Sequence, residues 1–419
     1  MSEDILRIWL IITSHEKEVI SYLDREFEIF EMENNVKIDI KLVTWNRAFE
    51  LLIEAFKNGE SPDVIQIGTT WVRTLAYMGY LHPVPDSIKM KTSFSKDMSS
   101  VCQYKGQQIA IPWNLDTVVM VGRKDYMDQL GIIEGDLWDW GGFYRACSEI
   151  TAARKKNSSL PRPLAFALRA EVDTLHRFAS LLWARGWEFP NLNKGLPRKI
   201  LTDNIPLETF SALARLMRAC AITSKDVEKH PYQINEDFYN NGSYVFYIGS
   251  WYGVIEDINK KPEKSKNGDF KYTVLPLPSS INKLATYGGG SVLAVSSGTK
   301  NPELSWKLIR FLLQDNFIDE YFETTGKVPA FESSFWQRRF EDERVQMMYG
   351  LTVNARSYPS YPAWATIENI LSLGIAHGLW RLIDKVDSEV DREVYTILQK
   401  ADRDLLDLLN LSWEMNDYE

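Results

Sequence analysis

The chain opens with the apolar run Ile5-Leu6-Arg7-Ile8-Trp9-Leu10-Ile11-Ile12, which is typical of a buried strand. Two more segments of the strand type follow, an alternating one at 36–42 and a continuous apolar one at 63–68. Between these strands lie two segments whose apolar residues repeat at helical spacing, one before 36 and one after 45. This strand–helix–strand–helix–strand order predicts an α/β sheet with parallel strands and right-handed crossovers. Further along the chain, a turn is predicted at 104–107 and helical patterns run from after Gly142 to about Arg185. Gly288 to Gly290 are predicted to form a turn that precedes a strand and lets backbone approach a ligand closely.

Two turns next to the first three predicted strands are candidates for contact with a ligand. Ligands of parallel sheets bind beyond the carboxyl ends of the strands, and the segments 13–16 and 69–71 both follow predicted strand ends. Both segments are also predicted helix starts, where free backbone N–H groups can reach a ligand oxygen. Thr13 and Glu16 have capping-box spacing, so a purely structural role for Glu16 stays open.

The bulk composition limits the classes of function. A chain of 419 residues exceeds what one hydrophobic core supports, so two lobes or domains are expected. The hydrophobic share of 45% and the charged share of 25% are those of an ordinary globular protein. The net charge of -9 argues against nucleic acid and anionic membranes as partners. The 14 Trp residues suit a pocket that stacks the flat apolar faces of a ligand.

Motifs of cofactor and metal chemistry are missing from the sequence. Neither Gly-x-Gly-x-x-Gly after the first strand, nor His-Glu-x-x-His, nor Cys-x-x-Cys occurs, so we predict no cofactor and no metal. Cys102, Cys147 and Cys220 are far apart and odd in number, which favours free buried thiols. A glycoside hydrolase, which needs two carboxylates at its active site, is the enzymatic alternative. Among 57 acidic residues some pair can always be nominated, so such a pair is not specific evidence for a hydrolase. The second half is also too helical for eight alternating strands and helices, so we predict no enzymatic activity.

Six motifs follow one another in a fixed order along almost the whole chain. They are Ser61-Pro62-Asp63-Val64; Tyr104-Lys105-Gly106 through Ile111-Pro112-Trp113-Asn114; Asn241-Gly242 through Ile248-Gly249-Ser250-Trp251; Leu275-Pro276-Leu277-Pro278 before Gly288-Gly289-Gly290; Lys300-Asn301-Pro302-Glu303-Leu304-Ser305-Trp306-Lys307-Leu308; and Thr325-Gly326-Lys327-Val328-Pro329-Ala330. Each motif is weak alone. In this order they resemble the extracellular solute-binding proteins of family 1, the maltose-binding-protein-like components of sugar importers.

The resemblance implies a fold and a domain division. The fold class is α/β, a two-lobed periplasmic-binding-protein-like fold of type II, with a sheet flanked by helices in each lobe and the ligand cleft between the lobes. Lobe 1 is expected at residues 1–112 and 287–329, and lobe 2 at residues 113–286 and 330–419, joined by hinge strands. Hinge closure would bury the ligand, because a ligand that touches both lobes favours the closed state.

The resemblance also implies the partners. We expect a carbohydrate ligand, the permease subunits of an ABC importer as the membrane partner, and a monomeric protein. A ligand-sensing protein of a signalling system has the same fold and is the alternative, which gene neighbourhood would distinguish. Family members carry a signal sequence, but the start of this chain lacks that pattern, and no apolar run approaches a membrane span. We expect an extracytoplasmic location with the leader removed; a cytoplasmic location is the alternative.

A sugar presents a C–H face, which packs on an aromatic ring, and a rim of hydroxyls that needs polar side chains. The resemblance implies a stacking role for Trp251, at a strand-to-helix turn, and a ligand-facing role for Trp364, at a helix start. It implies the same for Trp71. The full set of predicted ligand-binding residues is Ser14, His15, Glu16, Trp45, Thr70, Trp71, Asn114, Asp116, Trp251, Gly289, Gly290, Arg356, Tyr361 and Trp364. Core packing, helix capping, a hinge hydrogen bond or a simple turn is the structural alternative for each.

Overall fold

A computed structural model describes residues 4–12, 16–88, 96–169, 171–190, 195–254, 271–279, 284–359, 361–383, 385 and 387–414. The strands are β1 Asp4–Ile12, β2 Val36–Thr44, β3 Val64–Gly68, β4 Gln103–Tyr104, β5 Gln107–Gln108, β6 Ile111–Arg123, β7 Arg162–Phe166, β8 Tyr244–Ser250, β9 Tyr272–Leu275, β10 Gly288–Val295 and β11 Val328–Pro329.

The helices cover most of the second half of the chain. They are α1 Glu16–Asn34, α2 Trp45–Asn58, α3 Val72–Tyr77, α4 Lys96–Val101, α5 Lys124–Leu130, α6 Trp140–Lys156, α7 Val172–Ala184, α8 Asn204–Ala219, α9 Ser224–Val227, α10 Pro231–Tyr239, α11 Pro302–Leu312, α12 Asp315–Thr325, α13 Ser334–Arg339, α14 Glu343–Val353, α15 Trp364–Trp380 and α16 Asp387–Glu414, with 3-10 turns at Thr69–Trp71 and Glu134–Trp138. In the described part of the chain, none of these helices has the length and apolarity needed to cross a membrane.

The chain forms two compact units. The first comprises Met1–Asp116, Gly288–Glu341 and Ser360–Trp364, and the second comprises Thr117–Tyr287, Asp342–Pro359 and Ala365–Glu419. Their boundaries differ from those of the predicted lobes: the stretches 113–116, 330–341 and 360–364 group with the first unit, and residue 287 groups with the second. Helix α13 belongs to the first unit because the Trp336 indole N–H donates to the Pro329 carbonyl at 3.2 Å and the Ser334 hydroxyl donates to Asp319 at 2.7 Å.

The first unit is built on the sheet that the opening stretch predicts. Strand β1 lies between β2 and β3 and is parallel to both, with Ile8 opposite Ile40 on one side and Val64 on the other. Strand β10 adds to the far side of β3 in the antiparallel direction, with Leu293 opposite Gln66. Helix α2 and the turn before α3 cover one face of this sheet with apolar side chains. The predicted α/β pattern of parallel strands is therefore confirmed for β1 to β3.

The second unit has a smaller mixed sheet. Strand β8 pairs with the second half of β6 in the antiparallel direction and with β7 in the parallel direction, while β9 pairs with β6. The long helix α16 packs on α8. Buried Asp402 anchors this helix further, because its carboxylate accepts backbone N–H groups of Leu201 at 2.6 Å and of Ile200 and Thr202, both at 3.1 Å.

Two predictions of local structure are wrong. A continuous helical region was expected up to about Arg185, but β7 lies inside it, because five residues are too few for periodicity to separate a strand from a helix. Gly288 to Gly290 was expected to form a turn before a strand, whereas the three glycines are the first residues of β10. The predicted turn at 104–107 is confirmed, since it joins β4 to β5 with positive φ at Lys105 and Gly106.

Candidate functional site

The first unit brings two indole rings together at one edge of its sheet. Because β1, β2 and β3 are parallel, their carboxyl ends meet at this edge. Trp45 begins α2 directly after β2, and Trp71 ends the 3-10 turn that follows β3. The two ring centroids are 5.6 Å apart in an edge-to-face arrangement. A Cβ at Gly68 would come within 3.3 Å of both rings, so glycine at the end of β3 permits this close packing.

Both indoles are half-buried, so part of each ring remains accessible. Their inner sides pack on Ile11, Val43 and Ala48. We name Trp45 and Trp71 the indole pair. It offers the flat apolar surface that the C–H face of a sugar requires.

The other predicted residues at this edge have different environments. Thr70 is half-buried in the 3-10 turn, and Glu16 is exposed at the first position of α1. Ser14, His15 and the cap at Thr13 lie outside the described residues. The structure therefore brings together Trp45, Thr70 and Trp71, with Glu16 at the start of the helix after β1.

The segment that contains Tyr361 and Trp364 lies against α3. The hydroxyl of Thr74 donates to the carbonyl of Pro362 at 2.7 Å, which ties this segment to the first unit. The Trp364 side chain is only 2% exposed, whereas Tyr361 is half-buried, and their ring centroids are 6.3 Å apart. Of these two predicted aromatic contacts, only Tyr361 presents an accessible ring.

Asn114 belongs to a buried hydrogen-bond network of the first unit. Its side chain is 3% exposed, and its Oδ1 accepts from Gln66 Nε2 at 3.3 Å and from the Ser291 hydroxyl. Gln66 also accepts the backbone N–H of Ile11 at 2.9 Å and donates to Ser291 at 2.7 Å. Oδ1 of Asn114 therefore already accepts two hydrogen bonds. The network connects β1, β3, β6 and β10, and this structural role accounts for an asparagine at position 114.

The glycines of β10 allow a close approach of backbone to backbone. Gly290 has φ of +121°, and a Cβ there would lie 2.1 Å from the Asn114 carbonyl oxygen. Gly289 is buried beside it. The predicted close approach at this position is therefore an approach to β6, within the first unit.

Lys327 is a polar residue at this edge to which the sequence gave no role. Its side chain is buried, and its Nζ donates to the Ile11 carbonyl at 2.9 Å. Burial lowers the pKa of Lys327 to about 8, and the nearby Asp116 acts in the opposite direction. Asp116, a predicted ligand contact, is half-buried and interacts with this ammonium group. In the sequence, Lys327 belongs to the motif Thr325 to Ala330, which supported the resemblance to the family but gave this lysine no chemical role.

The second unit has a comparable edge where the parallel strands β7 and β8 end. Trp251 follows β8 directly, and its backbone N–H donates to the Thr117 carbonyl at 3.2 Å. Its side chain is 2% exposed. Such burial is compatible with a core ring as well as with a ligand-facing one, so the role of Trp251 stays a prediction.

Glu171 lies at the same edge, at the start of α7 after β7, and the sequence reasoning missed it. Its Oε1 is buried and has no hydrogen-bond partner among the described residues, while Oε2 lies 4.0 Å from His230 Nε2. Burial, aided by the adjacent Asp173, raises the pKa of Glu171 to about 6; Arg177 and Arg169 act in the opposite direction. A buried carboxylate oxygen without a donor is an acceptor suited to a ligand hydroxyl. The sequence did not indicate that Glu171 follows a strand, because the residues of β7 were predicted to be helical.

A group of aromatic rings surrounds His176 in the second unit. The His176 ring stacks on Tyr287 at 3.9 Å with an angle of 7°, and its Nδ1 is 2.9 Å from the Tyr358 hydroxyl. Burial lowers the pKa of His176 to about 4, so the ring is neutral at physiological pH. The predicted contact Arg356 lies nearby, since its backbone N–H donates to the Thr286 carbonyl at 2.8 Å. Its guanidinium pairs with Glu188 at 3.2 Å.

A sequence profile described as "Bacterial extracellular solute-binding protein" matches residues 27–343, which is most of the chain. The chain belongs to this family. A relative with the name diacetylchitobiose binding protein DasA, from Streptomyces coelicolor, is 23% identical over 87% of this chain and 82% of its own length. A putative binding protein of Brucella abortus is 22% identical over 88% of each chain.

Solved structures share the fold. A solute-binding protein of Thermotoga lettingae bound to α-D-tagatose has a TM-score of 0.76 at 17% identity, over 95% of this chain and 100% of its own. The GacH receptor of Streptomyces glaucescens has a TM-score of 0.75 at 18% identity, over 96% of this chain and 100% of its own. These similarities confirm the predicted fold class, and the family match confirms the predicted function as a solute-binding protein. The family is one of binding proteins.

Proposed function

We propose that the chain is the substrate-binding component of an ABC importer and that its ligand is a carbohydrate. The observation that carries the proposal is the indole pair, with Trp45 and Trp71 half-exposed at the carboxyl ends of parallel strands. Accessible indole faces fixed by packing underneath are suited to stacking against sugar C–H faces. They are a poor match for phosphate or a small acid, which would need a cluster of cationic donors.

The strand-end edge of the second unit offers a hydroxyl acceptor and a candidate ring. A sugar hydroxyl that donates to Glu171 Oε1 would satisfy the buried oxygen that has no donor among the described residues. Trp251 at the end of the neighbouring strand β8 is the candidate for a further stacking ring. An aromatic ring beside a carboxylate is the combination that recognises the two kinds of surface of a sugar.

The names of similar proteins support the same ligand class. They include a diacetylchitobiose binder and solute-binding proteins whose structures contain tagatose, maltose or acarbose. An extracytoplasmic site of action, a permease partner and a monomeric state complete the proposal. Closure around the ligand stays a prediction from the resemblance.

A thermal-shift screen tests the ligand class. The panel contains mono- and oligosaccharides, including chito- and malto-oligosaccharides, with short peptides and a phosphate ester as comparison. A sugar that binds only the folded protein stabilises it, by about 2.7 kcal/mol when the sugar concentration is a hundred times Kd. The melting temperature therefore rises. A shift produced by a peptide or the phosphate ester and by no sugar would show that the proposed ligand class is wrong. Release of cleavage products from an oligosaccharide would instead favour the hydrolase alternative.

Calorimetry with the sugar identified in this way tests the indole pair. Trp71→Ala is expected to weaken binding at least tenfold, about 1.4 kcal/mol, because a stacked indole face is lost. Trp138→Ala is the matched control, because Trp138 is an indole that is 41% exposed in a 3-10 turn of the second unit. The affinity of this variant for sugar should equal that of the wild type. Equal affinities of the two variants would refute stacking on Trp71.

A further inference from the structure

Two of the three cysteines lie next to each other in the second unit. Cys147 is on α6 and Cys220 is the residue that ends α8. The two thiols are close enough that Cys220 is one of the causes that raise the pKa of Cys147, and both side chains are buried, at 0% and 1% exposure. The third cysteine, Cys102, is buried in the core of the first unit.

The backbone around the two thiols is held by a shared hydrogen bond. The hydroxyl of Thr151, one helical turn after Cys147, lies 3.0 Å from the Cys147 carbonyl and 2.6 Å from the Ala219 carbonyl. Backbone N–H groups of Cys220 and Ala221 are bonded to the last turn of α8. The middle of α6 and the end of α8 are therefore fixed against each other near the two cysteines.

A cavity borders one of the two cysteines. A cavity of about 480 Å³ is lined by Cys220 and by four basic side chains together with Asp226. The basic residues are Arg154, Arg162, Lys225 and Lys229. Asp226 is engaged by Arg162 at 2.6 Å and 2.8 Å, so the lining carries net positive charge that attracts anionic reagents. Cys147 does not line this cavity, and burial together with the neighbouring Cys220 raises its pKa well above the usual thiol value.

We propose that Cys147 and Cys220 form a disulfide that links α6 to α8. The family is extracellular, and thiols that meet in an oxidising compartment become paired. The proposal concerns the covalent state of the second unit and does not depend on the nature of the ligand.

The oxidant is a small-molecule disulfide of the glutathione class, whose carboxylates suit the basic cavity. Cys220 Sγ attacks one sulfur of this disulfide, which forms a mixed disulfide and releases one thiolate. Cys147 Sγ then attacks Cys220 Sγ, which forms the protein disulfide and releases the second thiolate. The two protons of the protein thiols pass to the two released thiolates, so two protein thiols are oxidised and one small disulfide is reduced. The raised pKa of Cys147 predicts that the second step is slow at neutral pH and accelerates as pH rises.

Alkylation followed by intact mass measurement tests the proposal. The full chain is refolded in a mixture of oxidised and reduced glutathione, then denatured and treated with iodoacetamide. The expected product carries one alkyl group, on Cys102, and peptide mapping finds Cys147 joined to Cys220. Protein kept in dithiothreitol should carry three. Three alkyl groups after refolding in the glutathione mixture, or a crosslink that contains Cys102, would overturn the proposal.

Two variants separate the bridge from general effects of thiol removal. Cys102→Ala should leave no alkylated cysteine after oxidation, whereas Cys220→Ser should carry two alkyl groups and no crosslink. Wild type and Cys102→Ala should melt at a higher temperature when oxidised than when reduced, and Cys220→Ser should not. A lower melting temperature of oxidised wild type would show that the native fold does not accommodate the bridge.

Discussion

Glu171→Gln is expected to make the folded protein more stable and its ligand binding weaker. The carboxylate of Glu171 is largely withdrawn from water, with 27% of the side chain exposed, and its Oε1 has no donor among the described residues. The pKa is raised to about 6, compared with 4.5 for an unperturbed Glu, and this shift measures the free-energy cost of keeping the group charged in the folded state.

The magnitude follows from the shift. A difference of roughly 1.5 in pKa corresponds to about 2 kcal/mol, and solvent screening of a partly exposed group reduces this to about 1 kcal/mol. Because the folded-state pKa is raised, the folded protein binds more protons than the unfolded chain between pH 4.5 and 6, so wild-type stability falls as pH rises through this window. The cost is fully present above pH 6. Glutamine does not titrate and removes it.

Denaturant unfolding at pH 4 and at pH 8 measures the effect. Glu171→Gln should match the wild type at pH 4 and exceed it by about 1 kcal/mol at pH 8, which is about 1 °C in melting temperature for a chain of 419 residues. Sugar affinity should fall about tenfold at pH 8, because a charged acceptor is replaced by a neutral one. Glu236→Gln, which changes an exposed carboxylate on α10, is the control and should alter neither quantity. A variant less stable than wild type at pH 8, or one with unchanged sugar affinity, would refute the reasoning.

Gly290→Ala should lower the free energy of unfolding by about 3 kcal/mol, because its Cβ would lie 2.1 Å from the Asn114 carbonyl at a φ of +121°. Gly350→Ala, at a helical position with open space, should instead add about 0.5–1 kcal/mol, and urea unfolding compares the two. Lys327 should make stability rise with pH, because its folded-state pKa of about 8 lies below the unfolded value of 10.5. Relative to Lys327→Met, wild type should gain on the order of 3 kcal/mol between pH 8 and pH 10.5, and a constant difference in urea midpoint would contradict this.

The opening stretch could be predicted because its information is local. The apolar runs at 5–12, 36–42 and 63–68 correspond to β1, β2 and β3 within two residues at each end. Side-chain direction along a strand or helix depends only on sequence spacing, so periodicity reports it directly. The placement of Trp45 and Trp71 after the strands followed from the same argument, because parallel strands share an edge for their carboxyl ends.

Other elements could not be predicted in this way. Strand β7 is five residues long and lies between segments of helical spacing, so its sequence did not distinguish it. With β7 missing from the prediction, the position of Glu171 at a strand end was hidden. The glycines of β10 resemble a turn in sequence, yet they begin a strand that pairs with β3. At Gly290, β6 approaches so closely that a side chain would not fit.

The sequence by itself determined the family, the α/β class, the strands of the first sheet and the two indoles at its edge. Only the tertiary structure decided which polar groups have partners. Asn114 meets Gln66 and Ser291 across 48 and 177 residues of chain, and Cys147 meets Cys220 in a similar way. Local patterns record the direction of each side chain, whereas its partner is chosen by chain folding over long separations. The same physical reason explains why Glu171 and Lys327 emerged as candidate functional groups only from their burial and their neighbours.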